Sequence, residues 1–211
     1  MKRKAMSVVM CLLVCVCFVA AQTAEEVLEN VRQKYDDLRD AELKFSQRVK
    51  FEMARVEQRV NGTLYLKKEN KYRVELEEQT IVTNGETVWS FSLPTNQVLI
   101  DNFKPDERTL TPERILTGAP EDFSATVLQR EKVGQIETIS VKLVPRDDQS
   151  FITSMKLWVD PKEWFIRKVE LIDQNGKTTE YEVKEIKINP GLQDSRFTFQ
   201  IPEGVEVVDL R

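Results

Sequence analysis

Two hydrophobic periods follow one another along the chain, and the change between them locates a helix and a strand. Apolar residues recur at helical spacing after Thr23, whereas a period of two begins after Asp40. The helical stripe consists of Val27, Leu28, Val31, Tyr35 and Leu38. Thr23 followed by Glu26 is the capping-box pattern of a helix start. We therefore predict an amphipathic helix, followed by a long strand with one polar and one apolar face.

The period of two continues through most of the remaining chain and predicts consecutive antiparallel strands. Asn84-Gly85 and Asn175-Gly176 are two-residue hairpin signals between such strands. Links as short as these are too short for crossovers between parallel strands. We predict the last short strand at residues 197–201.

A short helix interrupts the strands in the middle of the chain. Thr111 has the character of an N-cap, Pro112 occupies the first helical position and Gly118 can end the helix. This helix carries two apolar residues, Ile115 and Leu116.

These elements predict an α+β fold that is mainly β. We expect an incomplete antiparallel β-barrel of about ten or eleven strands, covered by two or three helices. No linker or repeat divides residues 22–211, so they form a single domain. Few helices are available to cover so many strands, and an apolar cavity can remain beneath them. The pattern alone leaves open the alternative that the same side chains simply pack together.

The first 21 residues have the pattern of a secretory signal peptide. A cationic start, Met1–Lys4, precedes an uncharged run that ends in Val19-Ala20-Ala21. The run is short for a membrane span of roughly 20 residues. We therefore predict a signal peptide at 1–21, cleaved near Ala21, with an uncleaved anchor as the alternative. Bulky residues precede each cysteine of the run, which disfavours lipidation.

The amino-acid composition excludes the most common catalytic groups. All three cysteines lie in the leader and the chain contains no histidine, so the domain has no Cys/His or Ser/His/Asp triad. Without the three basic residues of the leader, 28 basic and 35 acidic residues remain, a net charge of −7. This acidic balance argues against nucleic-acid binding. We expect no enzyme activity, no metal and no cofactor; carboxylate-only calcium binding stays open.

The stretch from Gly62 to Phe103 resembles the outer-membrane lipoprotein carrier protein (LolA) family. It matches that family's G-x-L-x-x-(K/R)-(K/R) stretch and the D-G-x-x-(L/V)-W hairpin, here read as Asn84 to Trp89. Phe45-Ser46-Gln47 matches the family's F-x-Q. Residues 111–116 match its T-P-x-x-(L/I)-(L/I) helix, and residues 197–207 match its closing F-x-F-x-x-P-x-G-V-x-V.

The resemblance implies a LolA/LolB-like barrel with a helical lid and a carrier function. It implies a periplasmic chaperone that takes lipid-modified proteins from an inner-membrane lipoprotein-releasing transporter to an outer-membrane lipoprotein receptor. The expected partners are therefore acylated lipoproteins, that transporter and that receptor, with no nucleic acid, and the expected state is a monomer. The alternative is a LolA-like periplasmic protein that binds another lipid or senses lipoprotein in a regulatory role.

Ten residues are predicted to form the site. Those of the hydrophobic cavity and its lid are Phe45, Leu64, Leu66, Tyr72, Val74, Trp89, Phe91, Ile115 and Leu116. The resemblance places Lys68 where the family has an arginine that holds the lid and takes part in transfer. Lysine lacks the forked hydrogen bonds of arginine. The sequence also has Glu69 in place of the family's proline, and Val74 in place of an aromatic residue.

Overall fold

The structure is a computed structural model. It describes residues 22–51, 56–104, 111, 115, 122–147 and 150–211. The predicted signal peptide at 1–21 lies outside these residues, as do Leu116 and most of the short middle helix. Within the described ranges, no helix combines the length and the apolarity needed to cross a bilayer.

The helix predicted after Thr23 is confirmed as α1, Ala24–Asp36. Thr23 Oγ1 accepts a hydrogen bond from the Glu26 backbone N–H at 3.2 Å, and the Glu26 carboxylate accepts one from the Thr23 N–H at 3.1 Å. The capping box therefore satisfies two N–H groups that the helix leaves unpaired. Its apolar stripe buries Val27, Leu28 and Val31, while Glu25 and Glu29 remain exposed.

Twelve strands follow in the described part of the chain. They are β1 (Asp40–Phe51), β2 (Val56–Lys67), β3 (Lys71–Leu76), β4 (Gln79–Asn84), β5 (Thr87–Ser92), β6 (Gln97–Asn102), β7 (Phe123–Val133), β8 (Ile136–Pro145), β9 (Ile152–Val159), β10 (Ile166–Asp173), β11 (Lys177–Ile188) and β12 (Glu206–Asp209). Gly85 and Gly176 adopt positive φ angles in the predicted Asn-Gly turns. Both hairpin predictions are therefore confirmed.

All twelve strands belong to one sheet. Their order across the sheet is β12-β6-β5-β4-β3-β2-β1-β11-β10-β9-β8-β7. In the described residues the two outermost strands, β7 and β12, do not pair with each other, so the sheet curls without closing. This open arrangement confirms the predicted incomplete barrel.

The C-terminal prediction is wrong in two respects. Residues 197–201 form no strand; a short 3₁₀ helix, Asp194–Phe197, ends there instead. The last strand, β12, comes later and runs parallel to β6, whereas we predicted antiparallel pairing throughout. The aromatic side chains explain the difference, because they pack on the sheet instead of extending it. Phe197 is fully buried, and the Phe199 ring lies 5.7 Å from the Phe91 ring.

The main core lies between α1 and one face of the sheet, which we call the inner face. The buried side chains from α1 and strands β7–β10 that form it include Val27, Leu28, Val31, Phe123, Val141, Leu143, Met155, Leu157 and Ile166. Leu64, Leu66 and Ile115 are partly buried at the border of this core. The buried residues of α1 pack on the β7–β10 half of the inner face, so in the described part of the chain most of the β1–β4 half has no helix over it.

Candidate functional site

The β1–β4 half of the inner face lines a cavity of about 310 Å³. One row of directly paired residues crosses these four strands: Leu43, Leu64, Val74 and Ile81. Paired residues lie on the same face of a sheet, so the row forms a continuous apolar wall. The other lining residues are Phe45, Gln47, Tyr72, Leu76, Gln79, Ile115, Ile166, Val169, Tyr181 and Val183.

Gly62 makes room for an aromatic ring in this wall. A Cβ atom at Gly62 would lie 2.6 Å from both the Phe45 ring and Leu76, and 2.9 Å from the Glu75 carbonyl oxygen. Phe45 thus packs across β2 where a side chain is missing. Its ring also meets Tyr181 edge-on, at 5.9 Å between centroids. The glycine of the G-x-L motif therefore has a physical role, which is to seat Phe45 in the cavity wall.

Five of the predicted residues lie together in the cavity wall. They are Phe45, Leu64, Tyr72, Val74 and Ile115. The Ile115 N–H donates to the Thr111 carbonyl at 3.1 Å, a spacing of four residues that belongs to a helical turn. Ile115 therefore places the predicted lid helix against the cavity.

Leu66, another predicted site residue, lines a second cavity next to the first. This cavity, of about 270 Å³, lies between the end of α1 and the β2–β3 turn, and Leu66 and Tyr72 both line it. Tyr72 therefore stands between the two spaces. Burial raises the pKa of its phenol group, so the hydroxyl stays protonated near neutral pH.

Trp89 and Phe91 lie on the opposite face of the sheet, contrary to their predicted place in the cavity. Trp89 is paired with Val82 and Ile100, and Phe91 with Val98. The residue of β5 that pairs with the cavity residue Ile81 is Ser90. Since neighbouring residues alternate between faces, both aromatic side chains point away from the cavity. The Phe91 ring instead lies 5.7 Å from the Phe199 ring of the C-terminal segment.

Lys68 lies in the turn between β2 and β3, with an exposed side chain that lines the second cavity. Its neighbour Lys67 makes the polar contacts: Nζ lies 2.6 Å from the Asp194 carboxylate and 2.9 Å from the Leu192 carbonyl. Glu69 has a φ angle of 67°, which a proline cannot adopt. The turn therefore differs in shape from one that carries the proline of the family motif.

Sequence reasoning missed the wall contributed by β10 and β11. Tyr181 and Val183 lie on the inner face opposite Gln47 and Phe45. A register shift at Lys44/Phe45 then brings Ile186 opposite Leu43. The apolar spacing of β11, in which two residues separate Val183 from Ile186, was the available signal for this bulge.

Charged residues are concentrated on the outer face of β1, β10 and β11. Burial alone would raise the pKa of the Glu180 carboxyl, but hydrogen bonds from Arg48, Lys168 and Lys50 outweigh it and lower the pKa to about 2. Lys168 Nζ lies 2.7 Å from Glu180 Oε2. Among the described residues, no group of three acidic side chains is arranged to hold a metal ion. The outer-face charges thus form ion pairs with one another.

Comparison with known proteins agrees with this architecture. Residues 36–200 match the family model described as outer membrane lipoprotein carrier protein LolA. An outer-membrane lipoprotein carrier protein of Azotobacter vinelandii is 27% identical over 196 residues, covering 89% of this chain and 90% of that protein. The corresponding protein of Pasteurella multocida is 26% identical over 197 residues, covering 92% of each.

A solved structure shares the fold. An uncharacterized conserved protein from Thermus thermophilus superposes with a TM-score of 0.59 at 15% identity, covering 88% of this chain and 98% of that one. The match to the family model extends from the last turn of α1 to the segment before β12, and so includes every strand that lines the cavity. This chain belongs to the outer membrane lipoprotein carrier protein LolA family.

Proposed function

We propose that this protein is a periplasmic carrier of lipid-modified proteins. It binds them when a lipoprotein-releasing transporter frees them from the inner membrane, and it hands them to a receptor at the outer membrane. The observation that carries the proposal is the apolar cavity between the row Leu43-Leu64-Val74-Ile81 and the lid residue Ile115. Membership of a family named for lipoprotein carriers supports it.

The energetics of acyl chains explain why such a carrier is needed. Exposing a chain to water costs about 0.8 kcal/mol per CH₂, or on the order of 12 kcal/mol for a chain of about fifteen carbons. Free diffusion between two membranes is therefore negligible, and an enclosed apolar surface must accompany the chain. A carrier must also release its cargo. When empty, the cavity wall contacts Ile115, and these contacts are exchanged for ligand contacts, which keeps net binding weak.

Transport by binding alone fits the chemistry of the wall. The only polar groups on its described side chains are the amides of two glutamines and the hydroxyls of two tyrosines, and none of these is a nucleophile beside a general base. We therefore propose no covalent step and no cofactor. The signal peptide predicted at 1–21 delivers the domain 22–211 to the periplasm as a soluble monomer.

The test measures extraction of lipoprotein from membranes. Spheroplasts incubated with the exported, purified protein are expected to release acylated lipoprotein into the supernatant as a complex with it. Ile115→Glu places a charge against the apolar wall and is expected to reduce release, whereas Val144→Glu changes a residue of the outer face that is already 40% exposed and should have little effect. Absence of release by a folded wild-type protein would reject the proposal.

The β2–β3 turn supports a second candidate, a LolA-like protein that binds another lipid or senses lipoprotein. Lys68 replaces the family arginine, and Glu69 adopts a backbone conformation closed to the family proline. Mass spectrometry of the ligand that co-purifies with the protein separates the two candidates. A lipidated polypeptide supports the carrier, and a phospholipid alone supports the second candidate.

A further inference from the structure

Two polar side chains meet at one end of the cavity. Gln47 on β1 and Tyr181 on β11 are directly opposite each other, and Gln47 Nε2 donates a hydrogen bond to Tyr181 Oη at 3.2 Å. Both side chains line the cavity. They lie four residues along β1 from Leu43, or about 13 Å at 3.3 Å per residue. The apolar row thus gives way to a polar pair at the end of the cavity away from Tyr72.

This pair retains hydrogen-bonding capacity. Tyr181 Oη accepts a bond from Gln47 and still has its own proton to donate, and Gln47 has a free carbonyl oxygen and a second N–H. In the described chain, neither side chain has any other hydrogen-bond partner. Burial raises the pKa of Tyr181, against the smaller opposite effect of the Gln47 hydrogen bond, so the phenol remains a donor at neutral pH. The pair therefore presents donors to whatever occupies the cavity.

We propose that Gln47 and Tyr181 bind the carbonyl oxygen of the ester or amide that joins an acyl chain to the cargo. The Tyr181 hydroxyl donates to that oxygen, assisted by the free N–H of Gln47, and the chain runs from there across the apolar row towards Tyr72. This inference rests on the proposed function. It adds that the site selects acyl linkages over plain hydrocarbon, because a ligand without the carbonyl leaves buried donors unpaired.

A purely structural role gives a different expectation. The Tyr181 ring also packs against Phe45, and Gln47 holds its hydroxyl, so the pair is also part of the wall. If packing were its only role, substitutions would change stability and would weaken all apolar ligands alike. The ratio of affinities for two ligands that differ only in the carbonyl therefore separates the two roles.

The experiment uses two phospholipids of equal chain length, one with ester-linked and one with ether-linked chains. Each displaces a fluorescent apolar dye from the exported, purified protein. The wild type is expected to bind the ester lipid about fivefold more tightly, the effect of one net hydrogen bond. Tyr181→Phe, which keeps the ring, and Gln47→Leu are each expected to lower this ratio to about one.

Gln129→Leu is the matched control. Gln129 is exposed on β7 and is not among the residues that line the cavity, so its variant should keep the wild-type ratio. Thermal unfolding confirms that each variant folds. If Tyr181→Phe or Gln47→Leu does not fold, the other of the two variants is enough for the test.

The possible failures are distinguishable. A wild type that binds both lipids equally overturns this inference and leaves the carrier proposal standing. A ratio that persists in Tyr181→Phe or Gln47→Leu also overturns it. A folded wild type that binds neither lipid overturns both proposals.

Discussion

The two halves of the inner face have the same alternating pattern and different surroundings. Under α1, the strands bury their apolar residues completely: Val141, Leu143 and Leu157 are each 0% exposed. In the cavity half, none of the six residues of β3 is fully buried, and Leu64 and Val74 remain half-buried. The halves are continuous, since β11 and β10 connect β1 to β9 within one sheet.

The difference shows how one sheet combines stability with binding. Closely packed apolar side chains stabilise a fold in proportion to the area removed from water. Side chains that face a cavity contribute less of this stabilisation and remain available to a ligand. We therefore expect substitutions under α1 to change the free energy of unfolding, and substitutions in the β1–β4 half to change lipid affinity.

The largest expected effect is that of Leu157→Ala. Leu157 is fully buried between Val141 and Val169 on neighbouring strands, and its truncation leaves a cavity in the packed half. We expect the free energy of unfolding to fall by about 3 kcal/mol. Denaturant unfolding measures it, with Val74→Ala as the matched truncation in the cavity half. Equal losses for the two variants would contradict the division between the halves.

The next largest expected loss of stability comes from the ion pairs of the outer face. Glu180→Gln removes a buried carboxylate that binds Arg48, Lys50 and Lys168, and we expect a loss of about 2 kcal/mol at neutral pH. Because the folded-state pKa of Glu180 is about 2 and its ordinary value is 4.5, its contribution is complete above pH 4.5 and is lost as the pH falls towards 2.

Unfolding curves between pH 7 and pH 2 are the measurement for Glu180→Gln. The stability difference from wild type should shrink below pH 4.5. Lipid affinity at neutral pH should be unchanged, since the carboxylate lies on the face away from the cavity. A constant difference down to pH 2 would show that the ion pairs contribute nothing.

A smaller effect, about tenfold in lipid affinity or about 1.4 kcal/mol, is expected from Val74→Phe. Val74 lies in the middle of the apolar row, and an aromatic ring there occupies space that a chain would take. Stability should be maintained or slightly increased, because the cavity is reduced. Dye displacement by lipid measures the affinity. The control is Val144→Phe, a change at an exposed residue of the outer face, outside the cavity lining.

The smallest expected loss of stability comes from the N-terminus of α1, the helix that covers the packed half. Thr23→Ala removes the side-chain acceptor of the capping box, and we expect a loss of about 1 kcal/mol. Thr23→Ser retains the acceptor and serves as the control. Thermal unfolding compares the two, and an equal loss in both would contradict a capping role.

Local elements were the best predicted from sequence. The capping box of Thr23 and Glu26, the Asn-Gly turns and the alternation of β1 each depend on residues close in the chain. Trp89 and Phe91 were misplaced because alternation defines two faces without saying which one is inner. That assignment comes from pairing β5 with β4, where Ser90 is opposite Ile81.

The sequence by itself determined the helix, the hairpins and an antiparallel sheet with too few helices to cover it, because these follow from propensity and periodicity over short spans. Only the tertiary structure decided which residues meet in the cavity. Gln47 and Tyr181 are separated by 134 residues and come together through the register of β1 and β11. Long-range packing also determines the bulge in that register. It likewise determines that the C-terminal aromatic residues pack on the outer face, and local patterns do not encode either feature.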